Sequence, residues 1–165
     1  MTTAILRPAE PADLPDILRL IRGLAEYEHR LHEATVTELE LRALLFGPVP
    51  RAQVVLAEVA GRPPVGIAVF NYTISTFAGR TGLFLEDLFV DPAHRSTGIG
   101  LALLRHLAVR AAAENCNIIE WRVLDWNQPA IDFYHRVGAE PVRGWHIRQL
   151  SGEALAALAE GASDG

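Results

Sequence analysis

The stretch Gly82–Leu107, GLFLEDLFVDPAHRSTGIGLALLRHL, decides the reading of the fold. An apolar run from Leu83 to Val90 carries two adjacent acids, Glu86 and Asp87. Asp91-Pro92 then makes a turn, and Arg95-Ser-Thr-Gly98-Ile-Gly100 opens an amphipathic helix. A strand that feeds a helix N-terminus through glycines is a place to hold phosphate. The helix end presents unpaired N–H groups and partial positive charge, and glycine lets a ligand approach the backbone. The two acids need an explanation of their own, because desolvating a carboxylate is costly unless it is paired or used. In a regular strand they point to opposite faces, so one at most faces a cleft unless a bulge intervenes. An ion pair with an arginine and a site for a cation both fit this pattern.

Upstream, Ala4–Arg7 reads as a short strand ended by Pro8. Asp13 caps an apolar stripe of Leu14, Ile17, Leu18, Ile21 and Leu24, and Asp16 lies where a capping box would put its acid. This helix runs out between Gly23 and His29, leaving Tyr27 and Glu28 at its end. A second helix starts at Thr35–Glu38 and stops at Gly47-Pro48. Gln53–Val59 and Val65–Thr73 are β-rich and joined by Gly61-Arg-Pro-Pro64, a hairpin connection.

Downstream, Gly100–Glu114 is a long helix with Leu101, Leu104, Ala108 and Ala111 on one side. Ile118–Leu124 is another strand. Asn127 and Pro129 open a helix through Phe133, Tyr134 and Val137, with Gly138 at its C-terminal cap. Trp145–Leu150 reads as a last strand before a short helix rich in alanine and leucine, and Gly161–Gly165 as a frayed tail. The expectation is one α/β domain over residues 1–160 with a mostly continuous sheet.

Composition narrows the function. The net charge of −5 argues against a nucleic-acid surface, which needs a basic excess. All 15 basic residues are arginine, so no Schiff-base lysine is available. Cys116 is the only cysteine, which removes an internal disulfide and a paired-cysteine metal site. The six histidines, His29, His32, His94, His106, His135 and His146, show no ligand spacing on a common face, and no metal is expected. No apolar run is long enough to span a membrane, and the N-terminal residues lack a basic-then-apolar signal, so the expectation is a cytoplasmic protein without a membrane partner.

The Arg95–Gly100 glycine spacing meets neither the dinucleotide pattern GxGxxG nor the Walker pattern, which needs Gly-Lys-Ser/Thr. A plain turn with helix-opening glycines would have the same spelling. Yet Arg-x-x-Gly-x-Gly entering a helix after a strand resembles the pyrophosphate-binding signature of the GNAT superfamily of acyl-CoA N-acyltransferases. The likeness extends along nearly the whole chain in order. Ile5-Leu-Arg-Pro-Ala, Ile17-Leu-Arg-Leu-Ile, Leu85-Glu-Asp-Leu-Phe-Val, Trp126-Asn-Gln-Pro-Ala-Ile-Asp-Phe-Tyr134, Gly138-Ala and Gly144-Trp145 are similar to the diamine and polyamine branch, the spermidine/spermine and thialysine N-acetyltransferases.

That resemblance implies a mixed central sheet flanked by helices, with a V-shaped splay between the strands at 83–90 and 118–124 that receives acetyl-CoA. The backbone of Leu88, Phe89 and Val90 would meet the pantetheine arm. Arg95, Ser96, Thr97, Gly98, Ile99, Gly100 and Leu101 would cradle the pyrophosphate, and Asn127, Gln128, Pro129 and Ala130 would close on the other side. Tyr134, which on its residues alone could be core, would donate a proton to the departing CoA thiolate. A phenol with a pKa of about 10 is protonated at neutral pH, whereas a thiol's is about 8.5. Glu86 would bind the substrate amine and assist its deprotonation, because an alkyl ammonium with a pKa of about 10 cannot attack while protonated. Tyr27, Glu28 and Asp87 complete an acidic substrate site, although Tyr27 and Glu28 also read as an exposed helix end.

Two departures bear on the substrate. Arg143 stands where the branch carries acids before its Gly-Trp pair, which disfavours a long polycation and suits an amine with its own carboxylate. The loop before Leu83 lacks the branch's aromatic residues. Trp121 and Trp126 read as packing rather than as a base-stacking platform. The expected activity is direct acetyl transfer from acetyl-CoA to a primary amine of a small diamine, polyamine or lysine-like molecule, by a homodimer. A peptide or protein N-acetyltransferase and a non-catalytic acyl-CoA-binding module are the alternatives.

Overall fold

The computed structural model describes residues 4–161. Of the tail read as frayed, Ala162–Gly165 lies outside the described residues. The chain divides into two compact units, one ending at Arg122 and the other beginning at Val123.

The first unit holds a five-stranded sheet in the order β1-β2-β3-β4-β5. These are β1 (Ile5–Pro8), β2 (Gln53–Glu58), β3 (Gly66–Ser75), β4 (Arg80–Val90) and β5 (Ile119–Trp121). Neighbours are antiparallel except β4 and β5, which run parallel. The glycine and proline punctuation places the hairpin as expected, pairing Ala57 with Gly66. Three helices accompany the sheet: α1 (Leu14–Tyr27), α2 (Glu38–Phe46) and α3 (Ile99–Ala113).

Two apolar layers follow from strand alternation. Leu14, Ile17 and Leu20 of α1 and Leu41 and Leu45 of α2 bury against Val54, Leu56, Ile67, Val69 and Phe89. The opposite face buries Val55, Ala57, Ala68, Phe70, Leu83 and Leu85, and α3 contributes Leu103 and Leu107. Helix α1 comes close because Gly23 has no side chain: a Cβ there would stand 2.9 Å from the Phe89 ring.

The cap of α1 differs from the expected box. A 3₁₀ turn, Pro11–Asp13, runs directly into α1, so the capping box forms one step earlier, between Glu10 and Asp13. Asp13 is further held by Arg7, which forks onto it at 2.7 and 2.8 Å and reaches Glu58 at 2.6 and 2.9 Å. Asp16 pairs instead with Arg19 at 3.3 Å. The predicted start of α2 holds, with Thr37 and Glu40 forming a reciprocal box.

The second unit contains α4 (Gln128–Arg136) and α5 (Gly152–Ala159). Asn127 caps α4 through its side chain, and Gly138 follows in the left-handed conformation (φ 85°). Trp145–Leu150, expected as a strand, is irregular, and Trp145, Ile147 and Leu150 are exposed. Its alternating composition suits a ladder, but a strand requires a hydrogen-bonding neighbour, and none pairs with it among the described residues. The strand read as Ile118–Leu124 is likewise shortened to Ile119–Trp121.

Candidate active site

The site in the first unit begins with a bulge in β4. The ladder to β3 pairs Val69 with Asp87 and Phe70 with Leu85, leaving Glu86 without an opposite residue. One inserted residue changes the alternation. Leu83 and Leu85 face the α3 layer, yet Asp87 shares the α1 face with Phe89 rather than following Leu85 into the opposite core. Both acids are thereby freed from the dilemma of a regular strand: Glu86 is exposed on the bulge, and Asp87 is partly buried.

The electrostatics follow from that placement. Burial pushes the Asp87 carboxyl up to about 6, helped by the neighbouring Glu86 and Glu28 carboxylates. Glu28, just beyond the C-terminus of α1, is itself raised by burial. Neither Glu86 nor Asp87 forms an ion pair among the described residues, and Glu28 has only a distant one, 3.9 Å from Arg30. The ion-pair explanation of the two strand acids therefore falls. Three carboxylates with this little neutralisation form a negative site suited to a cation. Among the described residues no group of His, Cys, Asp and Glu has metal-binding geometry.

Tyr27 lies in the same neighbourhood, beneath Arg95, whose guanidinium carbon is 4.3 Å from the tyrosine ring centroid and 5.5 Å from that of Phe89. Arg95 Nε also donates to the Val90 carbonyl at 3.0 Å. This arginine, expected among the phosphate contacts, ties the end of β4 to α1.

The other edge of β4 loses its strand partner over the same residues. The parallel ladder to β5 covers only Leu83–Leu85 against Ile119–Trp121. From Glu86 to Val90, β4 continues with β3 alone, so Leu88, Phe89 and Val90 have their β5-side edge unpaired by β5.

Beyond Val90, a 3₁₀ turn at Pro92–His94 leads into the loop that opens α3. Thr97 Oγ1 donates to the His94 carbonyl at 2.6 Å, and Ser96 adopts a left-handed φ of 59°. Gly98 is the N-cap at φ 91°, and no side chain caps the helix. The first intrahelical bond runs from Ala102 N to Gly98 O, so the N–H groups of Ile99, Gly100 and Leu101 precede the helical ladder. A Cβ on Gly98 would meet nothing within 4 Å. An uncapped 15-residue helix whose entry glycine borders open space fits an anionic ligand at this end.

The remaining predicted residues form a set in the second unit. Asn127 is buried, donates its N–H to the Leu124 carbonyl at 2.9 Å and accepts from Ala130 N at 3.4 Å. Gln128 and Pro129 form the first turn of α4, where Gln128 donates to Asp132 at 2.7 Å. Tyr134 is partly buried on α4, its ring 5.3 Å from that of Phe133. Arg143 is exposed in the irregular segment.

Two features escaped the sequence reading. His94 Nδ1 is buried without a hydrogen-bond partner among the described residues, and nothing local in the sequence signals it. Arg122 stands 5.1 Å over the ring of Phe84; its only clue was a charge inside a predicted apolar strand.

A strand that loses its parallel neighbour beside an acid cluster, then feeds a glycine-opened helix, sets a place for a cation next to a place for an anion, and the family match makes the chain an acetyl-CoA-dependent N-acetyltransferase. Residues 17–139 match the Acetyltransferase (GNAT) family, and the chain belongs to that family, with its fold and its use of acetyl-CoA. It is 36% identical over 169 residues to a thialysine N-epsilon-acetyltransferase of Bos taurus, covering 96% of this chain and 99% of that protein. It is 34% identical to the human spermidine/spermine N(1)-acetyltransferase-like protein 1, over 93% of this chain and 23% of that longer one. A solved integron cassette protein of V. cholerae shares the fold, with a TM-score of 0.80 at 24% identity over 97% of this chain and 99% of that one.

Proposed function

We propose that this enzyme acetylates a primary amine of a small diamine, polyamine or lysine-like molecule by direct transfer. The observation that carries this reading is the cluster of Glu28, Glu86 and Asp87, a negative site placed where β4 parts from β5. The relatives named for thialysine and spermidine/spermine acetylation support the same substrate range.

In this reading, Glu28 and Asp87 hold the ammonium form of the substrate. Glu86, exposed on the bulge, accepts its proton directly or through water, because only the free amine has a lone pair for attack. Acetyl-CoA supplies the activated acyl group as a thioester. The Ser96–Leu101 loop binds the pyrophosphate, and the β4 edge at Leu88–Val90 aligns the arm. The N–C bond forms and the C–S bond breaks, while Tyr134 gives its phenolic proton to the departing thiolate and is restored by the second proton that the attacking nitrogen sheds as the amide forms. Asn127 to Ala130 hold the other side of the co-substrate. We extend the reading to a cytoplasmic homodimer with one catalytic domain over residues 1–160, on the strength of the motif order alone.

Thiol release measured across diamines, polyamines, lysine-like amino acids and peptides tests the substrate range. Turnover with small amines but not with peptides is expected; the opposite ranking would overturn it. Tyr134→Phe should lower kcat by about 100-fold or more while CoA affinity stays near that of the parent. Undiminished turnover would remove Tyr134 from the mechanism.

A further inference from the structure

The outermost strand and the residue after it carry charges that the transfer chemistry leaves unused. Glu120 pairs with Phe84 in the β4–β5 ladder, so the two side chains share a sheet face. Arg122 reaches the same face two residues on, as its position over the Phe84 ring shows. The bulge at Glu86 brings Asp87 to that face as well, because Phe84 pairs with Asn71 on one side of the irregularity and Asp87 with Val69 on the other. Glu120, Arg122 and Asp87 thus lie on one face of the sheet in the first unit.

Arg122 is exposed and forms no ion pair among the described residues, although Glu120 is two residues before it. Stacking on an aromatic ring restrains a guanidinium without consuming its hydrogen-bond donors. A restrained cation with all its donors available suits a carboxylate, which it can meet with two parallel bonds. Glu120 beside it suits an ammonium. Phe84 and Asp87 stand opposite Asn71 and Val69, two ladder steps apart, or about 7 Å along the sheet. That separation is comparable to an extended lysine side chain.

We propose that Glu120 and Arg122 form a reader for the α-ammonium and α-carboxylate of an amino acid whose side-chain amine enters the acid cluster. The enzyme then selects lysine-like amino acids over diamines of equal length. This rests on the small-amine reading above, and adds to it the end of the substrate that does not react.

The test compares matched pairs, L-lysine with cadaverine and L-ornithine with putrescine, together with thialysine and lysine methyl ester. Thiol release gives kcat and KM, and calorimetric titration in the presence of CoA gives binding without turnover. The parent enzyme should favour each amino acid over its diamine and over the ester. Arg122→Leu should lower that preference about tenfold, mainly through KM, the order expected for loss of one charge-assisted contact. Arg122→Lys should restore part of it, and Glu120→Gln should weaken amino-acid binding alone. An unchanged amino-acid-to-diamine ratio in Arg122→Leu, in turnover or in binding, overturns the reader. A parent enzyme that acetylates no small amine overturns the small-amine function instead. Calorimetry then still judges the reader: amino-acid binding that depends on Arg122 supports it, and absent or Arg122-independent binding refutes it.

Discussion

Asp87 couples the chemistry of the site to pH. Burial raises its carboxyl from 3.8 to about 6, so the fold favours the protonated form. The associated stability is fully present below about pH 4 and is lost as pH rises through about 6. Asp87→Asn removes that loss. The variant should be more stable to urea than the parent at pH 8, by at most on the order of 3 kcal/mol, and match it at pH 4. A stability difference that does not vary between those pH values would refute the assignment. Catalysis pulls the other way: holding a cation needs the ionised group, so amine KM should rise as the medium falls below about pH 6. A second residue-scale test concerns Gly98. Its φ of 91° strains any L side chain, and the space beside it is open. Gly98→Val should weaken CoA binding about tenfold or more by isothermal titration, and normal affinity would refute the pyrophosphate cradle.

Among the elements, α1 matters twice, since its start anchors the sheet edge and its end supplies Glu28. Arg7 joins β1 and β2 to that start through Asp13 and Glu58. The arginine beside it holds the Asp13 carboxyl below its usual value, so this contribution is present above about pH 4 and lost as pH falls further. Arg7→Lys keeps the charge but loses the planar fork, and should lower stability by about 1–2 kcal/mol in urea unfolding at pH 7. The deficit should shrink in acid. At the other end, Gly23→Leu would improve helix propensity by roughly 1 kcal/mol but overpack against the Phe89 ring, a penalty of about 1–3 kcal/mol. Net destabilisation with a raised amine KM and near-parental CoA affinity is expected, because the helix must lift and take Glu28 with it.

Over the whole molecule, arginine takes every cationic role, and several of these residues join separate elements. Arg19 reaches Asp91 at 3.2 Å and the Pro64 carbonyl at 2.5 Å; Arg110 meets the Tyr72 hydroxyl at 3.0 Å and Glu114 at 3.0 Å. The elements these ties connect were legible in the sequence wherever turn chemistry marked their ends, as at Gly61–Pro64, Thr37 and Gly47-Pro48. Of the acids expected at the site, Glu28 and Glu86 stand close enough to Asp87 to raise its carboxyl, a grouping that residue type alone suggests. What stayed hidden depends on partners distant in sequence. Whether Asp87 faces α1 is settled by a ladder slip against Val69 and Phe70, and the cap of α1 by Arg7. Trp145–Leu150 has strand composition without a neighbour to pair with.

The slip at Glu86 has one more consequence, which concerns inheritance rather than geometry. Removing this single residue would join Leu85 to Asp87 and leave a regular ladder, with every other side chain still on its present face. The sheet therefore has no use for Glu86; it is a spare position on which the proposed base was installed. Deleting its codon should yield a protein that melts near the parental temperature yet transfers acetyl poorly, whereas deleting Leu85, which would set Glu86 opposite Phe70 in the core, should unfold it. A lineage could gain or shed the proposed base at this point through one three-nucleotide event, without rebuilding the core.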